Sequence, residues 1–178
     1  MSGNARGLTS PVGARPQWSA AGALFNGVAD YMATANYQVN QPLYMYIVMR
    51  QVTYTSFDRF FDGMTGSDQI ILRQLGSTPT LVAYAGTASG AVNDMVVNEW
   101  SIVRAFFNDA NSKIQINGHN AVTGNFGAAH IHGLAIAVNG ALTSNFSNIE
   151  VAEWVRRDSI DNEATIYADL KTRYGISD

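Results

Sequence analysis

Short apolar runs with a two-residue rhythm, separated at regular intervals by glycine-containing turns, fill most of this 178-residue chain. Segments 43–52, 59–61, 69–75, 80–85, 100–107, 113–116, 131–138 and 146–156 read as β-strands, because successive side chains of a strand point to opposite faces. Four Asx-Gly pairs punctuate the chain: Asn26-Gly27, Asp62-Gly63, Asn117-Gly118 and Asn139-Gly140. Tight hairpin turns need positive φ at both central residues, which asparagine and glycine tolerate best. Several short strands at this spacing predict an all-β sandwich or barrel with no internal repeat.

Two of the segments are apolar on both faces. In 43–52, Leu43, Met45, Ile47 and Met49 share one side, and Tyr44, Tyr46, Val48 and Val52 share the other with Arg50. In 100–107, Val103, Ala105 and Phe107 oppose Trp100, Ile102 and Phe106, with Arg104 set among the latter. Segment 113–116 alternates cleanly, with Ile114 and Ile116 inward. A strand apolar on both sides needs a cover over its outer face: a helix, a long loop or a partner chain. The C-terminal stretch IDNEATIYADLKTRYGI offers one, since Ile166, Leu170 and Tyr174, with Tyr167, form a stripe of helical period. Ser159 or Asp161 is its expected N-cap, and Gly175 sits where a left-handed residue ends a helix.

Residues 1–19 carry Gly3, Gly7, Pro11, Gly13 and Pro16 without a period, and read as an extended arm outside a single 20–178 domain. Arg6, Arg15 and Trp18 are its candidate contacts to a neighbouring subunit or capsid. A hydrophobic content of 47% suffices for one core, while charged residues reach only 14%, which suits a turn-rich β protein that hides surface against other subunits. The net charge of −3 forms no basic stripe, so nucleic acid is not an expected partner. Cysteine is absent, which excludes disulfides and thiol chemistry. No apolar stretch has membrane-span or signal-peptide length, so synthesis in the cytoplasm is expected with no membrane partner. Asn145-Phe146-Ser147 matches a glycosylation acceptor and, without a secretory signal, is read as chance.

The order of several motifs carries a resemblance. Asn26-Gly27-x-x-Asp30-Tyr31 comes first, then the strand 43–50, then Asn98-Glu99-Trp100-x-x-Val103 leading to Phe106-Phe107-Asn108. Lys113-Ile114-Gln115-Ile116-Asn117-Gly118 follows, and Phe146-Ser147-x-Ile149-x-x-x-Glu153 leads to the helix ending Arg173-Tyr174-Gly175-Ile176. Over residues 20–176 this resembles a concanavalin A-like lectin/glucanase (laminin-G-like) jelly roll of the kind found in bacteriophage virion proteins. The resemblance implies a two-sheet antiparallel jelly-roll sandwich with one short C-terminal helix. That superfamily includes lectins, laminin-G modules, endo-glycosidases and phage structural proteins, so the fold leaves function open.

The glycosidases of this superfamily place carboxylates at i, i+2 and i+4 on one strand, and a retaining mechanism needs two carboxyls about 5–5.5 Å apart. Here the last strand offers Glu150 and Glu153, an odd separation that predicts opposite faces; Asp158 lies beyond the strand and Glu99 stands alone. By the same parity Glu153 should share a face with Ile149, Val151 and Val155, as a structural acid paired with Arg104, Arg156 or a backbone amide. His130 and His132 share a face and, with His119, are the only histidines; they read as hydrogen-bonded edge residues in preference to metal ligands. By resemblance a calcium ion is the one cofactor left open, with oxygen donors in the loops 90–98 (Asn93, Asp94) and 58–68 (Asp62, Asp68), though neither has the dense acid spacing of a dedicated calcium loop. The glycine-containing stretch 86–90 precedes a strand, so it is no phosphate cradle. A glycan site would need aromatic platforms at a loop rim: Tyr54, Phe57, Tyr84 and Phe126, with Asn93 and Asn125 for hydroxyl contacts.

These readings lead to the expectation of a non-enzymatic virion structural protein, a capsid decoration or auxiliary surface protein on the virion surface. Its expected partners are the major capsid protein and copies of itself, with a trimer as the first guess. A lectin-like module for host or environmental glycans is the alternative, and a glycan hydrolase the third and disfavoured reading.

Overall fold

The computed structural model describes residues 7–64, 69–87 and 89–178. Fifteen strands are assigned in chain order: β1 (Gln17–Trp18), β2 (Ala23–Asn26), β3 (Met32–Ala33), β4 (Gln38–Val39), β5 (Leu43–Gln51), β6 (Arg59–Asp62), β7 (Ile71–Gln74) and β8 (Leu81–Tyr84) come first. Then follow β9 (Ser89–Val92), β10 (Trp100–Phe107), β11 (Ser112–Ile116), β12 (Val122–Gly124), β13 (Ile131–His132), β14 (Ala135–Ile136) and β15 (Asn148–Arg157), and one helix, α1 (Glu163–Tyr174), closes the chain. They form a seven-stranded sheet, β1-β2-β15-β5-β10-β11-β12, a six-stranded sheet, β3-β14-β6-β7-β8-β9, and the small pair β13-β4. Every pairing is antiparallel.

The main core lies between the two large sheets. Leu43, Met45, Ile47 and Met49 of β5 and Val103, Ala105 and Phe107 of β10 meet Phe60, Phe61, Leu72, Leu81 and Ala83 of the second sheet. Two buried amides span the same gap, Gln74 Nε2 donating to Gln51 Oε1 at 2.8 Å. The opposite faces of β5 and β10 carry a second core of Tyr44, Tyr46, Val48, Ile102 and Phe106, sealed by Leu170 and Ile176 with Ile166, Tyr167 and Tyr174. Of the three covers a doubly apolar strand could take, this chain uses its own helix. Phe106 packs edge-on against Tyr44 and Tyr46, with ring centroids 5.1 and 5.2 Å apart.

The helix begins at Glu163, past the expected caps Ser159 and Asp161; Asn162 holds the N-cap position in the left-handed region with no side-chain bond. Its far end follows expectation. Gly175 has φ 62, and the Ile176 N–H reaches back 3.1 Å to the Lys171 carbonyl, so Ile176 drops into the second core beside Leu170. Arg104 fixes the helix start to the sheet: its guanidinium meets Glu163 at 2.9 Å, donates to the Asn117 carbonyl at 2.6 Å and lies 4.1 Å from the Tyr167 ring centre. Lys113 also pairs with Glu163.

Three departures from the sequence pattern have local causes. The strand expected over 131–138 splits at Gly133, whose φ of 74 turns the chain from β4 in the small pair to β3 and β6 in the second sheet. Strands β2, β9 and β12 were not expected, because four or fewer residues, several of them small, give no measurable rhythm. Residues 7–19 are mostly extended, as an arm would be, but include a 3-10 turn at Val12–Ala14 and run along both sheets. Thr9 exchanges backbone hydrogen bonds of 2.8 Å with Ala33, the Tyr31 N–H donates to the Ala14 carbonyl at 3.0 Å, and β1 pairs with β2. Ala14 is buried, so this stretch belongs to the packed body.

Candidate functional site

The acids of β15 do not sit where parity put them. A bulge between Val151 and Glu153 inserts one unpaired residue, so Val151 pairs with Met49 but Glu153 pairs with Val48. Met49 faces the main core and Val48 the second, so Glu153 shares the outer face with Val155 and leaves that of Ile149 and Val151. Glu150 pairs with Arg50 on that same outer face, so the expectation of opposite faces is overturned. The buried acid is Glu150, at 2% exposure, held by Arg50 Nε at 2.8 Å and by the Ser19 hydroxyl. Arg50 in turn lies 5.5 Å from the Trp100 ring centre. Glu153 takes Arg173 at 2.5 Å and the Tyr174 hydroxyl at 2.9 Å, both from the helix, and not Arg104 or Arg156. Both carboxylates are thus engaged in fastening elements to the first sheet.

Of the expected arm contacts, Arg6 lies outside the described residues. Arg15 and Trp18 come together, lining a hollow of about 310 Å³ with Leu8, Pro16 and Met32. Trp18 is 76% exposed on an edge strand, an unusual position for the largest apolar side chain.

The six glycan candidates are divided between two ends of the second sheet, with Phe57 at the Gln74 end, where its N–H donates to the Gln74 carbonyl at 3.0 Å. Gln74, Leu81 and Val92 are in register at one end, which places Asn93 near the Gly76 turn, whose carbonyl accepts the Tyr54 hydroxyl. Tyr84 lies at the other end, where the Ala85 N–H donates to the Phe126 carbonyl at 2.7 Å. Phe126 itself is 2% exposed and belongs to the main core, away from any rim. Asn125 Oδ1 accepts the Gly127 N–H at 2.8 Å, a turn-forming role. Among the described residues no group of three or more His, Asp or Glu side chains is placed to hold a metal ion. Of the calcium-loop candidates, Asp68 lies outside the described residues, Asp94 stands 3.9 Å from His119, and Asp62 is buried in an ion pair.

That ion pair belongs to a polar cluster whose two arginines sequence reasoning missed. On the outer face of the second sheet Arg59 and Arg73 are direct cross-strand partners. Asp62 approaches Arg59 Nε only to 3.6 Å and accepts the Gly140 N–H at 3.1 Å. Burial pushes the Asp62 carboxyl up to about 6, against the pull of Arg59, and burial also holds Arg59 below its usual value. Next to Arg59, Asp58 is 4% exposed, and burial raises its carboxyl to about 7, with the Thr55 hydroxyl opposing. Phe57 precedes it with φ 70, half-exposed, its ring centre 6.0 Å from the Arg73 guanidinium. Positive φ is rare for a bulky side chain and holds this ring outward. The available signal was two arginines on neighbouring predicted strands, each interrupting an apolar run.

No family model and no curated protein sequence matches the chain. Solved structures do. A Trypanosoma rangeli sialidase in complex with sialic acid superposes with a TM-score of 0.62 at 10% identity over 93% of this chain and 30% of its own. Domains LG4-5 of the mouse laminin α1 chain give 0.53 at 12% identity, over 81% of this chain and 44% of theirs. A heptameric SAP-like pentraxin from Limulus polyphemus gives 0.54 at 9% identity, over 81% and 74%. The chain spans about a third of the length of the sialidase and under half that of the laminin pair. At such identities the likeness speaks for architecture alone. Two antiparallel sheets face to face, closed by one C-terminal helix, and these superpositions together show that the chain shares with these proteins the fold of a two-sheet jelly-roll sandwich.

Proposed function

We propose that this chain is a non-enzymatic structural protein of a bacteriophage virion, a capsid decoration or auxiliary surface protein that docks on its neighbours through Arg15 and Trp18. The observation that carries the reading is Trp18, 76% exposed beside Arg15 on an edge strand braced by the body of the domain. A large aromatic ring with a guanidinium next to it is the usual composition of an interface anchor. The engagement of Glu150 and Glu153 in ion pairs with Arg50 and Arg173 supports a holding role over a cutting one. The partners are the major capsid protein and further copies of the chain, with a trimer as the first state to test. Removing residues 1–18 would be a poor test, since it strips the Thr9–Ala33 bridge and β1. Trp18→Ala and Arg15→Ala variants are better. Mixed with shells of the cognate major capsid protein and sedimented, the parent chain co-pellets and Trp18→Ala stays in the supernatant at an unchanged melting temperature. Full retention of both variants would refute the reading.

A second reading, a lectin-like module for host or environmental glycans, is favoured by the aromatic rings of Phe57 and Tyr54 in the loop that follows β5. A half-exposed ring held at positive φ is a ready stacking surface for a sugar. Retention of the parent on a glycan array, lost in Phe57→Ala, would support it; an array with no bound glycan would remove it.

A further inference from the structure

We propose that the outer face of the second sheet binds the oxyanion of an acidic saccharide, a carboxylate or a sulfate ester, through Arg59 and Arg73, with Phe57 as the wall against which the sugar ring lies. The proposal deepens the glycan-binding reading and rests on it for the sugar; the oxyanion site itself stands on the arginine pair.

Directly opposed like charges destabilise an antiparallel pair, yet Arg59 faces Arg73 across β6 and β7. One carboxylate, Asp62, serves both arginines, and at 3.6 Å from Arg59 Nε it is beyond hydrogen-bond reach. Arg59 Nε and Nη1, Arg73 Nε and Asp62 Oδ1 are all buried without a hydrogen-bond partner. Among the described residues no acceptor takes any side-chain N–H of either arginine. A buried donor left unpaired costs on the order of 1–3 kcal/mol, and such groups call for a water or an ion. Two guanidinium forks with one distant carboxylate between them leave an excess of one positive charge and several free donors. That is the complement of a planar or tetrahedral oxyanion, which guanidinium groups bind in pairs of parallel hydrogen bonds.

The surroundings select a sugar as its carrier. Phe57 is half-exposed beside Arg73, and Tyr84 projects from the same face, since its register partner Ile71 lies two residues before Arg73 on β7. A small residue, Ala91, lies in line with Val82 and Arg73 across the sheet and leaves the approach flat. An aromatic edge, a phenol and a flat floor around a charge pair suit a pyranose bearing an acidic group better than an extended peptide, which would seek a free strand edge for its backbone.

Isothermal titration of the full chain with oligoglucuronate, glucose 6-sulfate, inorganic sulfate, maltotetraose and an aspartate-rich peptide tests the proposal. Saturable binding of oligoglucuronate or glucose 6-sulfate, and none of maltotetraose, is the expected result, the stronger of the two naming the oxyanion. Arg73→Gln should weaken it by about tenfold or more, the loss of one charge-assisted pair. Asp62→Asn, which frees Arg59 from its competitor, should tighten it severalfold. Phe57→Ala should weaken the sugars while leaving inorganic sulfate unaffected. Melting curves establish that each variant is folded; Arg59→Lys serves if Arg73→Gln is not. No oxyanion binding, or binding indifferent to Arg73 and Asp62, overturns the site. Glycan binding that ignores both residues leaves the lectin reading standing without this site, and preference for the acidic peptide or for bare sulfate overturns the saccharide assignment.

Discussion

The two sheets of the sandwich treat their outer faces in opposite ways. Behind the first sheet, β5 and β10 present tyrosine, valine, isoleucine and phenylalanine, and the helix lies over them as a second core. Ion pairs tie that face together: Arg104 with Glu163, Arg173 with Glu153, and Arg50 with Glu150 farther along the same face. Among the described residues no helix lies over the second sheet, and its outer face carries Arg59, Arg73 and Asp62 with donors left over. Buried donors without a partner occur on both faces, Arg104 Nε and Arg157 Nε behind the first sheet and Arg59 Nε, Arg59 Nη1 and Arg73 Nε behind the second. What differs is the cover: the first face is closed by an apolar helix, while the second sets two arginines opposite each other with one carboxylate near them.

The contrast can be broken or sharpened by substitution. The largest effect is expected at Leu170, the fully buried residue of the helix: Leu170→Ala should cost about 3 kcal/mol in urea unfolding. A cost below about 1 kcal/mol would mean that the helix is a loose appendage. Glu150→Gln leaves Arg50 facing a neutral amide and should cost about 2 kcal/mol. On the second sheet the sign should reverse. The Asp58 carboxyl, raised to about 7, binds its proton more tightly folded than unfolded. Its contribution to stability is therefore full below the ordinary carboxylate value of about 4 and lost as pH rises through about 7. Asp58→Asn should flatten the stability profile between pH 5 and 8, measured by denaturant unfolding, and raise stability at pH 8 by about 2 kcal/mol. An unchanged profile would show that Asp58 is solvated. At the small end, Glu153→Gln loosens a half-exposed pair and should cost about 0.5–1 kcal/mol. Trp18→Ala should fall within about 0.5 kcal/mol of the parent, since an exposed ring supports nothing beneath it.

Strands of both sheets were legible in the sequence: segments 59–61, 69–75 and 80–85 correspond to β6, β7 and β8, whereas β1, β2 and β12 of the first sheet and β3 and β9 of the second were not expected. Long strands such as β5 and β10 carry enough residues for parity to assign both faces, and the stripe Ile166, Leu170, Tyr174 pointed to the helix that covers them. The strands of the second sheet run two to four residues, so their positions could be found but alternation was too brief to assign their faces. Residue counting also failed at Glu153, because a bulge changes phase without leaving a composition signature. Phe126 was a rim candidate on its aromaticity alone; only tertiary packing assigns it to the core. Arg59 and Arg73 went unnoticed because pairing across a hairpin is a property of register, and register is set by the turn.

The bulge in β15 also governs how this chain would tolerate a change of length. Losing one residue from an ordinary strand turns everything beyond it inside out. Ala152 is the supernumerary position, so its removal would restore plain pairing and keep Trp154 toward Phe61 and Glu153 toward Arg173. Its neighbour across the sheet edge is less forgiving: a methyl group on Gly22 would sit 2.3 Å from the Val151 carbonyl oxygen. The strand can thus spare a whole amino acid where the adjoining loop cannot accept one carbon.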